Sequence, residues 1–185
     1  MANVSFSKTV PDGDTHSRDV CDTCGFIAYE NPKIVVGSVV TWQGKYLLCK
    51  REIEPRRGFW TIPAGFLELN EEPIEGAKRE AVEEANAVLS IDRLLAVYSV
   101  PRISQVQLIY RAELVDGNFS AGPESQDVAL YDWDDVPWNE LAFPSVYWGL
   151  NQHRSVIGRD DFAVFSNPAG ETGDRLPSGE RFSEL

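Results

Sequence analysis

Positive charge is in short supply in this chain: 17 Lys and Arg stand against 29 Asp and Glu, a formal net charge of -12. That balance argues against a nucleic-acid backbone or an anionic membrane as main partner, since both demand a basic surface. Cysteine is scarce as well. Three cysteines in 185 residues do not suggest a disulfide framework. Long apolar runs are missing, and no stretch approaches the ~20 residues that span a bilayer. The opening MANVSFSKTVPDGDT has no basic region followed by an apolar one, as a secretory signal would. The expectation is a soluble, cytoplasmic protein. An acidic chain also repels phosphate substrates, so an anionic ligand needs a bound divalent cation to invert the field locally.

What is present is ordinary globular material, 43% apolar and 25% charged, long enough for one domain with a modest extension. Residues 1–32 are polar and turn-rich, and they carry the pair Cys21-Asp-Thr-Cys24-Gly25. From Lys33 the character changes. KIVVGSVVTW and KYLLCKR read as strands joined at Gln43-Gly44, a hairpin signal. A short strand at Phe59–Ile62 leads into an acidic helical segment. RLLAVYSV, QVQLIYRAEL and DVALYDW read as further strands, and a closing helix is expected from about Pro144. The pattern predicts an α+β fold with a mixed sheet covered on both faces. The expected divisions are an extension at 1–32, a main domain at 33–157 and a polar, loosely held tail at 158–185.

The decisive stretch is GFLELNEEPIEGAKREAVEEANA, from Gly65 to Ala87. Pro73 suits a first helical turn, where its missing N–H costs nothing. At ~100° per residue, Glu80, Glu83 and Glu84 fall within one arc of that helix. Ile74, Ala81, Val82 and Ala85 are expected on the opposite, inward side, leaving the acidic side outward. Three crowded carboxylates repel one another unless a cation neutralises them, and such hard oxygen donors suit Mg²⁺ or Mn²⁺. A solvated acidic face accounts for the glutamates alone. It does not account for Gly65, Glu71 and Arg79 at their spacings.

That spacing resembles the Nudix box, G-x5-E-x7-R-E-U-x-E-E-x-G-U with U aliphatic. It departs at Asn86, where the pattern usually has Gly. Asn tolerates the left-handed conformation of a helix C-cap, so the departure removes no metal ligand. The likeness extends to Cys21-x-x-Cys24-Gly25, Tyr29–Lys33, Leu47–Arg51, Trp60–Gly65 and Gly122-Pro123-Glu124-Ser125. These pieces are similar to the branch of Nudix pyrophosphatases acting on FAD and ADP-ribose-like dinucleotides. The resemblance implies an α/β/α sandwich that hydrolyses a nucleoside diphosphate linked to another moiety. Glu80, Glu83, Glu84 and the Gly65 carbonyl are then the expected metal ligands, with Glu71 and Arg79 bracing the loop and helix. A carboxylate, Glu80 or Glu83, accepts the attacking water's proton. Glu124 is a further catalytic candidate from a distant loop, with Asp127 second; an ordinary exposed carboxylate is the bland reading of either.

Arg51, Arg56 and Arg57 precede the box and are candidates to meet phosphate or ribose, although solvated surface charge explains at least one of them. Tyr98, Tyr110 and Phe143 can stack on a base, while strand aromatics more often belong to a core. Cys21 and Cys24 form half of a zinc ribbon, which wants four ligands. No earlier Cys pair exists, His16 is the only nearby nitrogen ligand, and Cys49 sits in an apolar strand. A degenerate knuckle without zinc is therefore preferred over a zinc site. Members of the branch are frequently dimers, so a homodimer is an open expectation. The rivals are a housecleaning nucleoside triphosphate pyrophosphohydrolase, an RNA-cap hydrolase, and a ligand-sensing module that keeps the fold without catalysis. Such modules typically lose box carboxylates, and here all are present.

Overall fold

The computed structural model describes residues 4–176. The chain forms two compact units, residues 1–32 and residues 33–185; of the expected polar tail, 177–185 lie outside the described residues.

The first unit is a small antiparallel sheet of β1 (Phe6–Thr9), β2 (Arg18–Cys21) and β3 (Ile27–Ala28), in that order. The sequence showed only turns here, because β1 is exposed along its whole length and carries no alternating apolar signal. Local polar bonds hold the unit. The Cys21 N–H donates to the Phe26 carbonyl at 2.8 Å, and the Gly25 N–H to the Cys21 carbonyl at 2.9 Å. Gly25 makes that turn at φ +73°, a value that favours glycine. The Ser5 and Ser7 hydroxyls bond the Asp22 carboxylate and hold its pKa below the usual range. The Arg18 guanidinium, at 2.9 Å, draws the Asp14 carboxyl down to about 2.

The second unit is built on a seven-stranded mixed sheet. Its strands are β4 (Lys33–Trp42), β5 (Lys45–Arg51), β6 (Trp60–Thr61), β7 (Ala64–Phe66), β8 (Leu89–Val100), β9 (Gln105–Leu114) and β10 (Ser125–Tyr131). The main path runs β10-β5-β4-β9-β8, with β6 on β5 and β7 on β4. Only the β4–β9 pairing is parallel among these strands. Gln43 and Gly44 both take positive φ, the requirement of a two-residue hairpin between β4 and β5.

Alternation along the strands divides the core into two layers. Val36 and Val40 of β4 and Leu47 and Cys49 of β5 face α1 (Pro73–Ala85), where Ala77, Ala81 and Ala85 are fully buried. Val39, Tyr46 and Leu48 face α2 (Pro144–Ser155), which contributes Val146, Trp148 and Leu150. A sheet between one helix on each face is the α/β/α sandwich expected from the sequence.

The orientation of α1 differs from the expected one. Ile74 and Val82 are exposed, at 42% and 48%, while Glu80 and Glu84 are buried, at 7% and 4%. Alanines four residues apart make a narrow stripe that lets the helix approach the sheet closely. Two of the carboxylates, at 80 and 84, lie beside that stripe and turn inward with it, so the acidic side is not a solvated face. The segment after α2 also departs from a loose tail. The Val97 N–H donates to the Phe165 carbonyl and the Phe165 N–H to the Leu95 carbonyl, both at 2.9 Å. Asn167 bonds both the Ser99 N–H and its carbonyl through its side chain. This strap caps the open edge of β8, a role with no apolar periodicity to announce it.

The first unit offers Cys21, Cys24 and the exposed His16 to a metal, and no group of three His, Cys, Asp or Glu among the described residues is disposed to hold one. A four-ligand zinc site does not fit that set. Elemental analysis of protein purified without added metal should find zinc well below one atom per chain. A stoichiometry near one would overturn the degenerate-knuckle reading.

Candidate active site

The site begins with the backbone of β7. Gly65 lies where a Cβ would fall 2.3 Å from Glu80 Oε2, so the carboxylate rests directly against the glycine. One residue earlier, the Ala64 N–H donates to Glu84 Oε2 at 2.9 Å. The loop from β7 into α1 is fastened by Arg79. Its Nε donates to Glu71 Oε1 at 2.8 Å and its Nη2 to Glu71 Oε2 at 3.0 Å, a bidentate pair. Nη2 also reaches the Phe66 carbonyl at 2.9 Å, and Nη1 bridges Glu80 Oε1 at 2.7 Å and Glu83 Oε2 at 2.8 Å. Arg79 holds the Glu71 carboxyl below its usual pKa, helped by the Glu68 N–H.

Glu80 and Glu84 are pushed the other way. Burial raises both, and it outweighs the Arg79 bond to Glu80 and the Ala64 bond to Glu84. Neighbouring carboxylates, Glu124 among them, add to the rise. Glu84 reaches about 8. Two buried carboxylates under mutual repulsion want a compensating cation. The donors around them are oxygens only, Glu80, Glu83, Glu84, Glu124 and backbone carbonyls, which is the chemistry of Mg²⁺ or Mn²⁺. Among the described residues no three of these carboxylates form a closed ligand set. The Arg79 guanidinium, lodged between Glu80 and Glu83, supplies positive charge there instead. The fit to a divalent cation rests on the type of donor, carboxylate and carbonyl oxygen.

All four of these glutamates line one cavity of about 470 Å³ together with Gly65, Arg79 and Arg51, within the range of small-molecule sites. Arg51 is 8% exposed. Its Nε donates to the Pro55 carbonyl at 2.8 Å, and its guanidinium lies 5.1 Å from the Phe143 ring centroid. Burial lowers its pKa, opposed by Glu84, Glu124 and Glu54. The wall also carries apolar and amide side chains, Val100, Ile109, Phe143, Trp148, Gln105 and Gln107, together with Arg102.

Some expected residues do not reach this cavity. The Arg56 guanidinium lies over the Phe59 ring at 3.5 Å, and Arg57 pairs with Glu52. The loop that carries them lines the cavity through Ile53, Glu54 and Pro55, while Arg56 and Arg57 are not part of the lining. Asp127 sits on β10 and caps the Val128 N–H, whereas Glu124 lines the cavity. Tyr98 and Tyr110 are buried core residues; of the three aromatics only Phe143 is at the site. Gln105, Gln107, Trp148 and Gly173 were missed, because β9, α2 and the strap meet only in the folded chain.

The comparisons with known proteins identify the family. A NUDIX domain model matches residues 31–149, and the Nudix N-terminal zinc-ribbon model matches residues 5–30. The chain belongs to the NUDIX family and is a hydrolase of that family. A crystal structure of a NUDIX hydrolase from Nitrosomonas europaea is 44% identical, with a TM-score of 0.82 over 87% of this chain and 93% of that one. An ADP-ribose pyrophosphatase of Methanocaldococcus jannaschii is 29% identical over 119 residues, 62% of this chain and 69% of the relative. A MutT-like protein of Streptomyces ambofaciens is 33% identical over 102 residues, 55% of this chain and 64% of its own length, so the match spans just under two thirds of that relative.

Glu84 makes stability depend on pH. Its carboxyl titrates near 8 when folded against an ordinary 4.5, so the folded state holds a proton that the unfolded state has lost. Stability is then lost as pH rises through that window. In EDTA, Glu84→Gln removes the charge and keeps an oxygen for the Ala64 N–H. Its Tm should rise relative to wild type between about pH 5 and about pH 8. A difference constant with pH would contradict the burial of this carboxyl.

Proposed function

We propose that this cavity hydrolyses the diphosphate of a nucleoside diphosphate linked to a second moiety, with ADP-ribose the foremost candidate and FAD the next. One observation carries the reading: the box carboxylates and buried Arg51 share a cavity with apolar and amide side chains, among them Phe143, Trp148, Gln105 and Gln107. The charged end suits a diphosphate, and the far end suits a heteroaromatic base or sugar. The name of the Methanocaldococcus relative supports the same substrate class.

Glu80, Glu83 and Glu84, with the Gly65 carbonyl, would hold Mg²⁺ or Mn²⁺. A cation there supplies neutralisation of the diphosphate's charge and a water of lowered pKa. The residues do the rest. Arg51 would meet a phosphate oxygen, its own hydration largely lost to burial. Phe143 and Trp148 offer apolar surface to the base, which excludes water from that end. Glu80, Glu83 and Glu124 border the cavity as candidate acceptors of the attacking water's proton. Arg79 is a positioning residue, holding the β7 loop and the α1 carboxylates in register.

A triphosphate pyrophosphohydrolase and a cap hydrolase differ in products. With ADP-ribose and Mg²⁺ or Mn²⁺, the expected products are AMP and ribose 5-phosphate, without pyrophosphate. Release of pyrophosphate from nucleoside triphosphates at higher kcat/KM would favour the housecleaning reading. Glu83→Gln should lower kcat by ~10²-fold or more while its melting curve stays cooperative. Near-normal turnover in that folded variant would remove Glu83 from the machinery. A sensing module would bind these nucleotides and turn over none.

A further inference from the structure

Asn86 is the one position where the box departs from its usual glycine, and its side chain is engaged. The residue caps α1 in the left-handed conformation, φ 46° and ψ 34°. Its N–H bonds the Val82 carbonyl at 2.9 Å, and the next N–H, of Ala87, bonds the Ala81 carbonyl at 3.1 Å. Glycine would do that much with less strain. Glycine has no amide, however. The Asn86 Nδ2 donates to Ser120 Oγ at 3.1 Å, to the Ala121 carbonyl at 3.1 Å and to the Ser120 carbonyl at 3.3 Å.

These bonds fall on the loop that carries Glu124. Helix ends leave carbonyls unpaired, and here the loop supplies the donors. The Ser120 N–H bonds the Ala85 carbonyl at 2.9 Å, and the Gly122 N–H bonds the Glu84 carbonyl at 3.0 Å. Contact is so close that a Cβ on Gly122 would lie 1.8 Å from the Glu83 carbonyl oxygen. Two residues on, Glu124 is held from both sides. The Ser125 N–H bonds the Gly122 carbonyl at 3.1 Å, and the Glu52 N–H bonds the Glu124 carbonyl at 2.8 Å. From there Glu124 lines the cavity with the α1 carboxylates.

We propose that Asn86 is a positioning residue: its amide locks the Ser120–Ala121 loop to the end of α1 and thereby sets Glu124 at the edge of the cavity. The inference rests on the catalytic reading of Glu124 given above. Helix capping needs only a residue that tolerates positive φ, whereas loop locking needs a donor. Asn86→Gly separates the two, and Asn86→Asp checks the separation, since aspartate also tolerates that backbone but cannot donate to the Ser120 and Ala121 carbonyls.

The test measures kcat, KM and the pH profile of kcat/KM on ADP-ribose for Asn86→Gly, Asn86→Asp, Glu124→Gln and the double variant Asn86→Gly/Glu124→Gln, with thermal melts of each. Both Asn86 variants should melt cooperatively and lose kcat by ~10-fold with KM little changed. The limb of the pH profile that Glu124→Gln alters should shift. In the Glu124→Gln background, Asn86→Gly should add little, as non-additivity requires when one residue acts through another. Wild-type kcat and pH profile in Asn86→Gly would overturn the proposal, as would an equal loss with and without Glu124. Full activity in Glu124→Gln would instead sink the catalytic reading of that glutamate, and this positioning role with it.

Discussion

The Arg79 guanidinium sits between Glu71 on the β7–α1 loop and Glu80 and Glu83 on the helix, with the Phe66 carbonyl completing its bonds. Everything else at the site depends on that arrangement. A loop with several exposed residues, Leu69 and Asn70 among them, has little packing to hold it against the helix. The bidentate pair with Glu71 supplies geometric specificity that packing does not. It also places a fixed positive charge between Glu80 and Glu83.

The inward turn of Glu80 and Glu84 follows from how α1 meets the sheet. Ala77, Ala81 and Ala85 are small enough to bring the helix axis near β4 and β5, and Gly76 extends the contact. Close approach leaves the neighbouring glutamates little access to water. Burial then raises their pKa values and makes them sensitive to any cation that enters the cavity. The same packing that stabilises the sandwich thus creates an unfavourable acidic cluster. Functional sites commonly carry such local cost, offset by the surrounding fold.

Two elements outside the box complete the cavity. The Ser120–Glu124 loop is fastened to the C-terminus of α1, so Glu124 comes from far along the chain to the same wall as Glu83 and Glu84. The strap from Phe162 onward runs along β8 and brings Gly173 against Val100 at the cavity's far side. That strap lies beyond residues 31–149, the part matched by the family's domain model.

Much of this was legible from residues alone. The hairpin at Gln43-Gly44, the strands Lys33–Trp42, Lys45–Arg51 and Gln105–Leu114, and the helix from Pro144 follow from local chemistry and alternation. The fixed spacing of Gly65, Glu71, Arg79, Glu80, Glu83 and Glu84 announced a carboxylate site, because covalent spacing and helical pitch together place those groups. Tertiary packing decided the rest. It determined which side of α1 faces the sheet, that Arg51 is buried at the cavity while Arg56 and Arg57 are not part of its lining, and that the three strands of residues 1–32 form without an apolar pattern. It brought Glu124, Gln107, Trp148 and Gly173 to one cavity, since no local rule relates side chains whose contact exists only after distant segments pack. Short-range chemistry is written in spacing; the meeting of remote surfaces depends on the whole folded chain.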